Sequence, residues 1–102
     1  MKAILKRPGN PAVIVEIEGK NNVFEEIVGG EYLTLPFASD VMFLCNAKAQ
    51  EEGKEKNFAF FYKKGEDIYG PALFLGNGGH TFRGLTDGEA DAVLGILNAK
   101  GE

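Results

Sequence analysis

Cys45 and His80 are the only cysteine and the only histidine of the chain, and as a pair they are the residues best suited to acyl transfer. A reactive cysteine needs a basic neighbour or a helix N-terminus beside its sulfur to form the thiolate. Neither is predicted near Cys45, which lies within the apolar residues 41–45, and His80 follows a glycine-rich turn. We therefore expect a buried, neutral thiol and assign no catalytic residue. Whether the chain is an enzyme stays open, with a non-enzymatic role favoured.

A metal or cofactor site is not predicted either. One histidine and one cysteine cannot complete a structural zinc site, and the carboxylates do not have the spacing of a calcium loop. Residues 76–79, Gly-Asn-Gly-Gly, have the composition of a phosphate-binding loop, but they join two predicted strands and lack the lysine of a P-loop. We interpret them as a hairpin turn and expect no metal and no cofactor.

Asn46 and Asn57 stand at the two ends of a segment of mixed charge. Asparagine side chains readily bond the local backbone, so the favoured interpretation is that the two amides fix the ends of this loop. The alternative is a ligand site, in which both amides point into a pocket for a small molecule or a peptide beside Tyr62 and Tyr69. In that case Cys45 would lie next to the same pocket.

The elements that position these residues are mostly strands. Three apolar runs at residues 41–45, 58–62 and 71–75 are too short for helices and predict strands that are buried on both faces of a sheet. Alternating patterns at residues 2–6 and 12–18 predict two further strands, joined in an antiparallel hairpin by the turn Pro-Gly-Asn-Pro.

Two more short strands are predicted at residues 31–37 and 80–83. Pro36 has no backbone N–H to donate, so it indicates the end of the first of these strands or an edge position in the sheet.

Two helices complete the predicted elements. The first covers residues 23–28, with Asn21 or Asn22 as the N-cap and two glycines at its C-terminus. The second begins at the capping box Thr86-Asp87-Gly88-Glu89 and continues with apolar residues at helical spacing to about residue 99.

These elements predict a single α+β domain over residues 1–102, with a mostly antiparallel sheet of five to six strands. The short helix after the second strand and the C-terminal helix are expected on one face of this sheet. The other face would then expose phenylalanines of the apolar runs as a patch that a second subunit could cover. The phenylalanines of these runs are Phe58, Phe60, Phe61 and Phe74.

Charge and composition exclude several partners. The formal net charge of -4 and a pI near 5.0 argue against attraction to nucleic acid or to an anionic membrane surface. The apolar runs are too short to cross a bilayer, and no signal peptide is predicted. A single cysteine cannot form an internal disulfide, so a cytoplasmic location is expected. The weakest alternative is mimicry of nucleic acid by Glu16, Glu18 and the acidic start of the second helix.

Several of these patterns together resemble one family. Residues 24–33 resemble its helix, Gly-Gly and strand signature, and residues 41–46 resemble its apolar strand ending in Cys-Asn. Asn57 resembles its second asparagine, residues 67–76 its Gly-Pro strand, and residues 82–89 its closing helix start. The chain is thereby similar to the family known as domain of unknown function 3846. The resemblance implies a setting in bacteria, phages and other mobile elements, and it brings no established activity.

The sequence thus favours an accessory or interaction protein that acts by protein contact, as a homodimer or with another protein partner. The alternative is a small-molecule-binding domain or minimal enzyme, with a pocket near Asn46, Asn57, Cys45 and Tyr62. An enclosed pocket that joins these side chains would favour the alternative.

Overall fold

The computed structural model of the chain describes residues 1–38, 40–59 and 67–100. The elements in these ranges are β1 (Lys2–Lys6), β2 (Val13–Glu16), α1 (Asn21–Val28), β3 (Tyr32–Ala38), β4 (Val41–Asn46), β5 (Lys56–Ala59), β6 (Asp67–Tyr69), β7 (Ala72–Asn77), β8 (Phe82–Arg83) and α2 (Asp87–Lys100). Six strands form one sheet in the order β2-β1-β7-β4-β3, with β8 paired to the end of β7. Strands β5 and β6 form a separate two-stranded sheet. The predicted α+β class and its mostly antiparallel sheet are confirmed.

Strands β7 and β4 form the centre of the sheet, as their apolar sequences predict. Leu44 and Leu73 pair across the two strands on one face, and Phe43 and Phe74 pair on the other. All four side chains are buried. A strand that buries both of its faces reads as a continuous apolar run, which is why alternation is missing from these two segments.

One face of the central strands is covered by α2 and by the β5–β6 hairpin. Val93 and Leu97 of α2 belong to the same buried cluster as Phe43 and Phe74. Phe58 of β5 packs against this cluster, with its ring centroid 5.8 Å from that of Phe43 and 6.1 Å from that of Phe74. The hairpin therefore acts as a third covering element beside the two helices.

The opposite face is covered by α1, so the two helices do not share a face as we expected. Phe24 and Val28 of α1 are buried with Leu44, Leu73 and Leu75, which alternate along their strands with the residues beneath α2. The prediction was wrong because an apolar helix face does not specify which side of a sheet it covers. Central strands that are apolar on both sides require cover on both.

The prediction for residues 58–62 also needs correction. Strand β5 covers Lys56–Ala59 and, among the described strands, pairs with β6 in a separate sheet, so it is not a central strand of the main sheet. Phe58 of this strand packs onto one face of the main sheet, and this contact accounts for an apolar residue here without burial of the strand on both faces. Phe60, Phe61 and Tyr62 lie outside the described residues. Both faces of β4 and β7 are covered by described elements, so the uncovered face from which we predicted a dimer is not found at these strands.

The helix ends follow the predicted signals with one exception. Helix α1 has Lys20 rather than an asparagine as its N-cap, with no side-chain hydrogen bond there. Its C-terminus is the predicted one: Gly29 adopts a left-handed φ of 88°, and the N–H groups of Gly29 and Gly30 both donate to the Glu25 carbonyl at 2.8 Å. The capping box of α2 is confirmed, because the Glu89 N–H donates to the Thr86 hydroxyl at 3.1 Å.

Glu89 makes the stability of the fold sensitive to acid. Arg83 donates to both of its carboxylate oxygens at 2.8 and 2.9 Å, and the Thr86 N–H donates at 2.9 Å. These bonds lower the pKa of Glu89 to about 2, whereas an unfolded glutamate has a pKa of about 4.3. The stabilisation is therefore complete above about pH 4.5 and is lost as the pH falls towards 2.

We expect Glu89→Gln to lower the free energy of unfolding at neutral pH by about 1–2 kcal/mol, since a charge-assisted bidentate pair is lost. The difference from the parent chain should shrink as the pH approaches 2.5 in urea titrations followed by circular dichroism. Glu26→Gln, at an exposed position of α1, is the control and should change little. A difference that stayed constant with pH would contradict the assigned role of the carboxylate.

Candidate functional site

Asn46 is the last residue of β4, and its side chain bonds the backbone as the favoured interpretation predicts. It is 6% exposed. Its amide nitrogen donates to the Val28 carbonyl at 3.2 Å and to the Glu52 carboxylate at 3.3 Å. Its oxygen accepts the Lys48 N–H at 2.7 Å. Asn46 thereby holds the C-terminal end of α1 and the loop after β4 in place, and all of its polar atoms are engaged.

Asn57 in β5 connects three parts of the chain. Its amide nitrogen donates to the Lys6 carbonyl at 2.7 Å and to the Gly70 carbonyl at 2.8 Å. These two bonds attach the hairpin to the end of β1 and to the turn before β7. Its oxygen is buried and has no hydrogen-bond partner among the residues that the structure describes. The Gly70 N–H in turn donates to the Glu55 carbonyl at 2.8 Å, which links the turn before β7 to the residue preceding β5.

A half-open pocket of about 320 Å³ lies between β3, the end of β4 and β6. This volume is at the lower end of the range for small-molecule sites. The pocket is lined by Leu33, Leu35, Cys45, Asn46, Ala47, Ala49, Gln50, Asp67, Ile68 and Tyr69. The structure thus brings together three of the predicted residues: Cys45, Asn46 and Tyr69. Asn57 is not among the lining residues, and Tyr62 lies outside the described residues. The ligand-binding role of these side chains stays a prediction.

Cys45 is a buried, neutral side chain. Burial raises the pKa of its thiol, so the reactive thiolate is disfavoured. The register of β4 with β7 pairs Cys45 with Ala72 and Val41 with Gly76, and His80 lies beyond the Gly76 end. Four residues of strand separate the two ends by about 13 Å. The pair considered for acyl transfer is therefore not assembled.

The glycine-rich residues 76–79 form the predicted turn between β7 and β8. The Gly78 N–H donates to the Thr81 carbonyl at 2.9 Å, and the Gly79 N–H donates to the Asn77 side chain at 3.0 Å. These N–H groups are used within the turn, and a phosphate cradle is not formed. Within the described ranges, no three acidic, histidine or cysteine side chains are grouped as metal ligands would be. Nor does either described helix have the length and apolarity that crossing a membrane requires.

The two edges of the main sheet differ in how their backbone groups are satisfied. At the β2 edge, the outward backbone of Ala12 is bonded by the Asn98 side chain of α2. The Ala12 N–H donates to the Asn98 oxygen at 2.8 Å, and the Asn98 amide donates to the Ala12 carbonyl at 3.4 Å. Asn98 thus satisfies the same two groups that a neighbouring strand would.

The β3 edge has no comparable cover within the described part of the chain. The Ala47 N–H donates to the Glu31 carbonyl at 2.8 Å, so the backbone of residues 31, 33 and 35 faces β4. The N–H and C=O groups of Tyr32 and Thr34 therefore point outward. Pro36 lies on the same outward side, which confirms the predicted edge position. This edge is also the rim of the pocket, which was not predicted from the sequence.

Leu33 connects the β3 edge to the pocket. Its side chain is 50% exposed and lines the pocket together with Leu35. Its pairing with Cys45 places it on the face that carries α2 and the β5–β6 hairpin. Leu33 therefore lies on the same face as the buried Phe37, yet half of its own surface is exposed.

The model of one protein family, described as a domain of unknown function (DUF3846), matches residues 1–97 of the chain. Comparisons with curated proteins and with solved structures find no match.

Proposed function

The chain belongs to the family described as domain of unknown function 3846, and from this membership we propose a non-enzymatic accessory protein that acts by contact with another polypeptide. The proposal places it in the cytoplasm of a bacterium, as a protein of phage or mobile-element type. The family resemblance supports the setting, and an unpaired, buried Cys45 is compatible with a reducing compartment. The contact surface we propose is the β3 edge with the pocket beside it.

The observation that carries this proposal is the open edge of β3 beside a pocket with many apolar lining residues. An extended peptide can add to such an edge, because its backbone pairs with the outward N–H and C=O groups of Tyr32 and Thr34. Alternate side chains of an added strand point to the same face of the sheet. One of them would enter the pocket next to Leu33. Backbone bonds then supply affinity, and the pocket supplies selectivity.

The polar residues at the pocket suggest which side chain fits. Leu33, Leu35 and Ile68 provide an apolar wall, while the Asp67 carboxylate and the Tyr69 side chain lie on the β6 side. Asp67 lies 3.5 Å from the Lys56 ammonium, so its charge is already partly balanced. An apolar side chain of moderate size is therefore favoured over a strongly basic one.

An NMR titration tests this proposal directly. The probe is an eight-residue peptide of alternating threonine and valine with a lysine at each end. We expect shifts of the Tyr32 and Thr34 amide signals, because their N–H groups would gain acceptors, and of side-chain signals in the pocket. The matched control is Leu33→Lys, which places a charge at the rim and should weaken binding at least tenfold. Shifts at the β2 edge instead, or none at saturation, would refute the proposal.

A small-molecule binder is the second candidate, because Cys45, Asn46 and Tyr69 line one cavity. The same spectra distinguish the two functions. A small ligand would shift signals of the pocket side chains and leave the outward amides of Tyr32 and Thr34 unchanged. Asn46 offers such a ligand little without rearrangement, since its amide and oxygen already bond Val28, Glu52 and Lys48.

A further inference from the structure

We infer that the polypeptide added at the β3 edge is a second copy of this chain, paired antiparallel about a two-fold axis at Leu33. The inference rests on the proposed function and names its partner. In this arrangement the two main sheets join edge to edge, and β3 of one protomer lies beside the partner's β3.

The composition of β3 permits this pairing. Its sequence, Tyr-Leu-Thr-Leu-Pro-Phe-Ala, has no charged residue. Edge strands of proteins that stay monomeric commonly carry charges or are covered. The β2 edge follows that rule: it carries Glu16 and is covered at Ala12 by Asn98. Two β3 strands can approach each other without bringing like charges together, whereas two β2 strands cannot do so as readily.

The positions of the outward groups select one register. With the axis at Leu33, Tyr32 lies opposite the partner's Thr34, and Thr34 lies opposite the partner's Tyr32. Each of these pairs exchanges two N–H to C=O hydrogen bonds, which gives four bonds and leaves none of the outward groups of Tyr32 and Thr34 unpaired. Leu33 then meets the partner's Leu33 at the close, non-hydrogen-bonded position of the ladder.

The neighbouring registers are worse because of Pro36 and Gly30. An axis at Thr34 places Tyr32 opposite the partner's Pro36, which has no N–H, so the Tyr32 carbonyl stays unpaired. An axis at Tyr32 places Thr34 opposite the partner's Gly30. The Gly30 N–H already donates to Glu25 within its own chain, so the Thr34 carbonyl stays unpaired. Only the axis at Leu33 satisfies all the outward groups of Tyr32 and Thr34.

This register also explains the exposure of Leu33. The half-exposed side chain would be buried against its own copy, and the two pockets would lie side by side on the same face across the axis. The two Glu31 residues would be kept apart, because each lies opposite the partner's Leu35. The contact is short, so we expect a dimer that dissociates on dilution rather than a permanent one.

Cross-linking tests the register. Leu33→Cys places two thiols at a pair whose Cα atoms are about 4.5 Å apart, which allows a disulfide. The matched control is Ile14→Cys, because Ile14 is 47% exposed and also lies on an edge strand. Under mild oxidation we expect Leu33→Cys to form at least ten times more covalent dimer than Ile14→Cys on non-reducing gels. Both variants carry Cys45→Ala, because Leu33 pairs with Cys45 across β3 and β4 and a thiol at residue 33 would otherwise have a partner within its own chain. Equal yields would overturn the inference.

A charge exchange tests whether residue 33 faces itself. Leu33→Lys and Leu33→Glu should each be monomeric in light scattering, whereas their mixture should regain a mass near twice the 11.0 kDa of one chain. Circular dichroism confirms that each variant is folded. If the peptide shifts the Tyr32 and Thr34 amides but no cross-link and no mixed dimer form, the proposed function stands and the second copy is refuted. If neither the peptide nor a second copy binds, both are refuted.

Discussion

Phe74→Ala is expected to lower the free energy of unfolding by about 3–5 kcal/mol, which is the usual cost of removing a fully buried phenylalanine ring. Phe74 has no exposed surface and lies on β7, between Ile4 of β1 and Phe43 of β4. Its ring centroid is 4.9 Å from that of Phe37 and 5.2 Å from that of Phe43. Three strands and the hairpin meet at this ring, so little of the cavity can be filled by relaxation.

Urea titration followed by circular dichroism measures this change. Because natural domains have only about 5–15 kcal/mol of stability in total, Phe74→Leu serves as a milder variant and should cost about 1 kcal/mol. Phe82→Ala is the matched aromatic control. Phe82 is half-buried on the α1 face, where its ring lies 5.7 Å from that of Phe24, and its loss should cost less than half as much. A larger effect at Phe82 would mean that the α1 side forms the main core.

The centrality of Phe74 could be predicted from the sequence, but the role of Phe58 could not. Both residues lie in short apolar runs, and the runs look alike in composition. Phe74 lies in β7 (Ala72–Asn77), a central strand that is buried on both faces, whereas Phe58 belongs to a hairpin that packs onto one face of the sheet. The difference depends on which strands pair, and pairing between distant segments is not encoded in a local apolar pattern.

At the candidate site, contacts between residues close in sequence were predictable, and contacts between residues far apart in sequence were not. The bonds from the Lys48 N–H to the Asn46 oxygen and from the Glu89 N–H to the Thr86 hydroxyl are local, and the sequence predicted such contacts. The position of Leu33 at the rim of the pocket depends on β6, which belongs to a distant part of the chain. The cover that Asn98 gives to Ala12 joins residues 86 positions apart. Neither could be read from spacing.

The burial of Lys6 was not predicted, although its position in β1 held a signal for it. In a strand, alternate residues share a face, so Lys6 lies on the same face as Ile4, which is buried beneath α2. Lys6 is only 2% exposed. Its ammonium donates to the Arg7 carbonyl at 3.0 Å. No carboxylate of the described residues lies within ion-pair distance, and burial lowers the pKa of Lys6.

Lys6→Met is therefore expected to raise the free energy of unfolding at neutral pH by about 1–2 kcal/mol, since a buried charge with no counter-ion among the described residues is replaced by an apolar chain of similar length. The pH dependence has a definite sign. A lysine whose pKa is lowered on folding binds fewer protons in the folded state, so stability should rise as the pH increases towards the unfolded value of about 10.4. The methionine variant should lose this rise.

Urea titrations at about pH 7 and pH 9.5 measure both effects. Lys20→Met is the control, because Lys20 is an exposed lysine that pairs with Glu18 at 3.2 Å, and it should change stability by less than about 0.5 kcal/mol. A loss of stability in Lys6→Met would show that the bond to Arg7, which fixes the turn between β1 and β2, outweighs the burial of the charge. A gain in stability would mean that the lysine at this position does not serve the stability of the fold.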